Sequence, residues 1–264
     1  MLRSIIAACS LILAAIAIGP AQAFGQERPG LEISVQPLIV QFAIAPGSQA
    51  STHVVIKNVG TQPTHVSVNQ IDWSTTVDGS VKTGRPGMTG KSSLNPYLRL
   101  SGGDLVLEPG ETRDMTLTLF LPSTFPSGTR DYWGGYLVRA TGADAGSFGV
   151  GANVLVYETV GTPVKHLKLT GLHVEDSGNG NIRLVARMLN DGQTYLRPLI
   201  HLQIGQEGRI VQAQDDSTPA IFAGEPRIYT RKLQGLAPGS YLLDVTLDYG
   251  GSTLVEGTTR FTVH

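Results

Sequence analysis

The sequence predicts an all-β chain, folded as two β-sandwich domains in series behind a cleaved leader. Three observations carry that expectation. Apolar residues recur at every second position through most of the chain, with Thr and Ser between them, the pattern of half-buried strands. The runs end at Pro and Gly corners such as Pro109-Gly110, Pro126-Ser127-Gly128 and Pro238-Gly239, where Pro presets φ and Gly accepts positive φ. No apolar stripe of helical period runs longer than two turns outside the leader, which argues against an α/β enzyme fold.

The leader is read from Arg3, the apolar run Ile5 to Ile18, the break at Gly19-Pro20 and the small-x-small site Ala21-Gln22-Ala23. The run falls short of the roughly 20 apolar residues of a membrane span. Cleavage after Ala23 would start the mature chain at Phe24 and place it in the periplasm or outside the cell, without stable membrane insertion. Removing 23 of 264 residues leaves 241 and takes away Cys9, the only cysteine. An exported chain without a disulfide is held by core burial alone, and a chain of this size buries roughly 70% of its unfolded surface. The 20 basic residues, less Arg3, stand against 21 acidic ones. That balance offers nothing to nucleic acid or to an anionic membrane.

Along the mature chain, Leu31, Ile33 and Val35 alternate, then Leu38, Val40, Phe42 and Ile44 alternate on the opposite parity. The phase changes at Pro37, so the first strand is expected to kink there and change sheets. Strands follow at Thr52–Lys57, ended by Asn58-Val59-Gly60, and at Thr64–Trp73, closed by the hairpin signal Asp78-Gly79. Residues 83–96 read as a loop, and Tyr97–Leu100 and Leu105–Leu107 as short strands. Met115, Leu117, Leu119 and Leu121 alternate up to the corner Pro122 to Gly128, and an aromatic strand Tyr132 to Arg139 follows. Strand, Pro/Gly corner, aromatic strand is how an immunoglobulin-like sandwich passes from one sheet to the other. Phe148, Val150, Ala152, Val154 and Val156 then alternate as the last strand of the first unit, residues 24–160.

Gly161-Thr162-Pro163 reads as a linker, and the grammar restarts over residues 164–264. Leu167–Val174 is a strand, Asn179-Gly180 a hairpin turn, and Ile182 to Met188 the next strand, closed by Asn190-Asp191-Gly192 as Asn58-Val59-Gly60 closed its counterpart. Further strands are expected at 199–204, 209–213, 228–233 and 243–249, with 254–255 and 261–263 at the end. Each half shows about seven strand signals, the immunoglobulin-like count.

Chemistry is sparse. None of the six histidines has a neighbour at zinc-site spacing, and His166 and His173 would sit on opposite faces of one strand. There is no Gly-x-Ser-x-Gly elbow and no phosphate loop, and Gly146 to Gly151 leads into a strand. Asp215-Asp216 reads as a solvated loop. No catalytic residue, cofactor site or metal site is assigned, and the chain is read as not an enzyme. The aromatics Trp73, Tyr97, Tyr132, Trp133 and Tyr136 serve either core packing or a glycan platform, with Tyr132 and Tyr136 on one face and Trp133 on the other. Recognition is assigned to the stripe Phe148, Val150, Ala152, Val154 and Val156, as an edge that pairs with an incoming strand; the competing reading packs the stripe into its own sandwich.

The strand from Leu31 to Ile44, the segment Val54 to Gly60, Leu119 through Val138 and Val150 to Tyr157 together resemble the PapD-like periplasmic chaperones, with their paired immunoglobulin-like domains. The resemblance implies a protein client, such as a pilus-like or surface subunit, held by strand donation from the end of the first domain. It also implies a basic pair in the interdomain cleft that anchors the client's terminal carboxylate, one member lying on the first strand. Leu31 to Ile44 contains no Arg or Lys, and Lys165 near the linker has no evident mate. The alternative reading is a cell-surface adhesin or glycan-binding module using the aromatics or the 83–96 loop.

Overall fold

A computed structural model describes residues 30–142, 149–176 and 182–264. The leader and its cleavage site, Phe148 and the Asn179-Gly180 turn lie outside the described residues. No helix among those described is long and apolar enough to cross a membrane.

The first half contains β1 (Ile33–Gln36), β2 (Ile39–Phe42), β3 (Gln49–Asn58), β4 (Thr64–Thr75), β5 (Val81–Gly84), β6 (Leu98–Leu100), β7 (Leu105–Leu107), β8 (Thr112–Phe120), β9 (Arg130–Thr141) and β10 (Gly149–Val160). One sheet runs β1-β3-β8-β6; the other runs β2-β10-β9-β4-β5, with β7 beside β4. This is the immunoglobulin-like arrangement, in which the first strand is shared between two facing sheets. The sharing occurs at Pro37, where the parity changes: β1 pairs antiparallel with β3, and β2 pairs parallel with β10. The corner after β8 crosses to β9 in the opposite sheet. Its Phe125 is buried against Tyr97 and Tyr132, so the turn is fixed by packing as well as by proline.

The second half contains β11 (Leu167–Asp176), β12 (Ile182–Asn190), β13 (Leu199–Gln206), β14 (Arg209–Ser217), β15 (Pro226–Leu233), β16 (Gly239–Asp248) and β17 (Val255–Val263). Its sheets run β11-β12-β15 and β14-β13-β16-β17 around a separate core. Two local expectations are corrected. Asp215 and Asp216 lie within β14, not in a loop, because each finds a partner across strands: Asp215 binds His201, and Asp216 accepts from the Tyr229 hydroxyl and Arg231. His166 precedes β11 and pairs with Asp191. Histidines are in fact paired with carboxylates, at His53–Asp114 and His173–Glu175 as well, but through cross-strand or local contacts that do not gather three ligands among the described residues.

The two halves repeat one structural device. Asn58 is fully buried at the end of β3; its Nδ2 donates to the carbonyls of Gln62 (2.8 Å) and Leu107 (2.9 Å), and its Oδ1 accepts from the Gly60 amide (3.0 Å). Asn190, equally buried at the end of β12, donates to Thr194 (2.8 Å) and Ile221 (2.7 Å) and accepts from Gly192 (3.0 Å). The glycine two residues on is required by space. A Cβ on Gly60 would stand 2.6 Å from the Gly30 carbonyl oxygen, and one on Gly192 2.7 Å from the His166 nitrogen.

Candidate protein-binding edge and interdomain cleft

β10 pairs with β9 along residues 149–160, whereas β2 covers its other side only at residues 155–158. The Leu155 amide donates to the Leu38 carbonyl at 2.8 Å, so it points away from β9. Strand alternation then turns the N–H and C=O groups of Gly149, Gly151 and Asn153 outward too, where no strand among the described residues covers them. This is an open sheet edge about five residues long. Gly149 and Gly151 carry no side chain of their own here, and the Arg139 side chain stands beside Gly149.

The predicted recognition residues divide. Val154 and Val156 are buried in the first sandwich's own core, with Val54, Val138 and Leu117. Their assignment as side chains offered to a partner is therefore corrected: the facing sheet already fills the space in front of them. Val150 and Ala152 are half-buried and pack on the margin of that core. What the edge offers is backbone, flanked by Val150 and Ala152, and joined at Leu155 by the exposed Leu38 and Ile39.

Leu155, Tyr157 and Thr159 of β10 face the second half. Tyr157 joins Trp73, Tyr195, Ala220 and Phe222 in a buried cluster, with Leu155 and Trp133 against it. Trp133 stacks on Phe222 at 4.2 Å, and Trp73 meets Tyr157 edge-on at 5.1 Å. Tyr132 and Tyr136 point the other way, into the first core, as alternation requires. The aromatics are thus consumed by cores and by the interface, and the glycan-platform reading of them is corrected.

Two polar clamps flank the cluster. Asp131, at the start of β9, accepts from the hydroxyls of Thr159 (2.8 Å) and Thr194 (2.7 Å) and from the Tyr195 amide. Burial pushes its carboxyl above the usual range, against these three hydrogen bonds. Arg227, almost wholly buried, donates to the carbonyls of Thr76 and Ala220 and to the Thr75 hydroxyl; the Ile228 amide reaches the Val77 carbonyl at 2.7 Å. Burial also pushes the Tyr157 phenol up to about 12.

Beside the Asp131 clamp lies a cleft of about 520 Å³ between the halves, lined in part by Gln41, Thr159, Lys165, Thr194, Arg197 and Asp248. Arg197 is the residue that sequence reasoning missed. It lies 32 positions after Lys165, beyond the Asn190 turn, and both residues line this cleft.

No family model and no curated protein matches the chain. Solved structures similar to it include the class 5 fimbriae chaperone CfaA (11% identity, 88% of this chain and 100% of that chain covered, TM-score 0.43). The YadV chaperone is similar at 13% identity, with 88% and 100% covered and a TM-score of 0.45. A PapD-like domain of human CEP192 is similar at 15% identity, with 57% and 97% covered and a TM-score of 0.37.

Proposed function

We propose that the chain is a periplasmic or secreted chaperone-like binding protein, without catalytic activity, that assists assembly of a surface or secreted structure. Its first domain would span residues 24–160 and its second 164–264. The client is a protein whose own sandwich lacks a strand, and it adds a strand to the edge of β10.

One observation carries the reading: the outward backbone groups of Gly149, Gly151 and Asn153 have no partner strand among the described residues, while β2 covers the same strand at residues 155–158. An open edge is a template for strand addition. The sequence resemblance to the PapD-like chaperones supports the reading. So does the cleft holding Lys165 and Arg197, two cations suited to a client's chain-terminal carboxylate.

Asn153→Pro tests it. Proline would remove one outward N–H and fill its place, leaving the ladder to β9 intact. Wild type and variant of equal Tm would be used to capture proteins from a native periplasmic extract. Subunits with an incomplete sandwich should be retained by wild type and lost with the variant. Identical captured sets would refute strand addition at this edge.

A further inference from the structure

Glu158 sits where the open edge of β10 stops. It stands opposite Phe42 of β2, in the parallel seam over residues 155–158. Its side chain is fully buried. Oε1 accepts from the Ile44 amide at 3.2 Å, just beyond the end of β2, and Oε2 is buried without a hydrogen-bond partner among the described residues.

No ion pair to Glu158 exists among the described residues. Its cross-strand neighbour on β9 is Tyr132, whose hydroxyl is also buried with no partner among the described residues. From the second half, Tyr195 feels the Glu158 charge, along with those of Asp131 and Arg197. A carboxyl so enclosed, with one weak donor and no cation, is held more easily neutral than ionised.

We propose that Glu158 is a pH-sensitive latch: neutral, it lets β2 lie on β10, and ionised, it frees β2 and lengthens the open edge from residues 149–153 to 149–158. The released segment adds the outward backbone groups of Leu155 and Tyr157 to those of Gly149, Gly151 and Asn153. The purpose of the latch rests on the strand-addition reading above. The opening itself is observable without a client.

Burial pushes the carboxyl from its usual 4.5 up to about 7, outweighing the opposite pull of the Ile44 amide. The group is raised in the closed state, so its support of the seam is complete below the ordinary carboxylate pKa. That support is lost as pH rises through about 7. With tenfold per pH unit, the opening equilibrium should grow on the order of a hundredfold between about pH 5 and about pH 8.

The test is amide hydrogen exchange at Ile44 and Leu155 in the full mature chain, corrected for the intrinsic effect of pH. Wild type and Glu158→Gln would be compared. The wild-type seam should open about a hundredfold more readily at the higher pH, and the variant, which keeps the acceptor but cannot ionise, should show no such rise. Equal behaviour of the two would overturn the latch. Should the variant fold poorly, a carbon-13 titration of the Glu158 carboxyl in wild type decides. A midpoint near 7, coinciding with loss of Ile44 protection, supports the latch, and a midpoint at ordinary carboxylate values overturns it. Client capture separates the two ideas. Failure of the latch leaves capture sensitive to Asn153→Pro at every pH, and failure of strand addition leaves the exchange result standing.

Discussion

Asn190→Ala should destabilise the second sandwich by about 3 kcal/mol. The side chain makes three hydrogen bonds of 2.7 to 3.0 Å from a fully buried position, and each such bond contributes about 1 kcal/mol net. Alanine would leave the carbonyls of Thr194 and Ile221 facing a vacated space. Asn58→Ala removes the equivalent three bonds in the first sandwich and should cost the same. The sites share no partner, so the double variant should lose the sum within about 0.5 kcal/mol. Urea unfolding of both single variants and the double measures this. The Asn190 variant should also loosen the Thr194–Tyr195 segment that Asp131 holds. That would appear as faster exchange of the Tyr195 amide, absent in Asn58→Ala. A loss below about 1 kcal/mol in either variant would mean that water replaces the side chain, and the argument from buried bonds would fail.

Three further outcomes are expected. Val154→Asp places a carboxyl in the first core and should cost several kcal/mol; an unchanged melting temperature would restore this side chain to the recognition surface. Phe222→Ala removes the ring stacked on Trp133 and touching Trp73, at a cost of about 3 kcal/mol. Tryptophan emission should shift to the red and thermal unfolding should split into two steps, and unchanged emission would count against an interface role for this cluster. Arg227→Met should cost about 3 kcal/mol by stranding the Thr76 and Ala220 carbonyls; calorimetry showing no loss would mean that the clamp is dispensable.

What could be read from the residues was local. Parity exposed the sheet change at Pro37, proline and glycine marked the corners, and Asn-x-Gly marked the same turn twice. Parity also assigned Tyr132 and Tyr136 to one face and Trp133 to the other. It could not say what each face meets. Val154 and Val156 look alike on an edge or in a core, because alternation fixes orientation and leaves the neighbour open. The partners that decide the matter are distant: Asp131 meets Thr194 63 residues away, and Arg227 meets Thr75 152 residues away. Nor does any spacing reveal that β2 is four residues long, which is what leaves part of β10 uncovered.

That short β2 also sets where a client strand must end. A strand laid along Gly149 to Asn153 runs into Leu38, whose carbonyl already holds the Leu155 amide. Leu38 and Ile39 are large apolar residues left 48% and 37% exposed at this junction, although neither belongs to a core. A client strand that reaches the junction would cover them. Burying the exposed half of Leu38 is worth about 1 kcal/mol, and an aspartate there would add the cost of an unpaired charge under the client. Leu38→Asp should therefore weaken capture by at least about tenfold and leave the melting temperature unchanged, because the side chain has little packing to lose. If Asn153→Pro abolishes capture while Leu38→Asp leaves it intact, the client strand stops short of β2, and the exposed pair at the junction is no part of the binding surface.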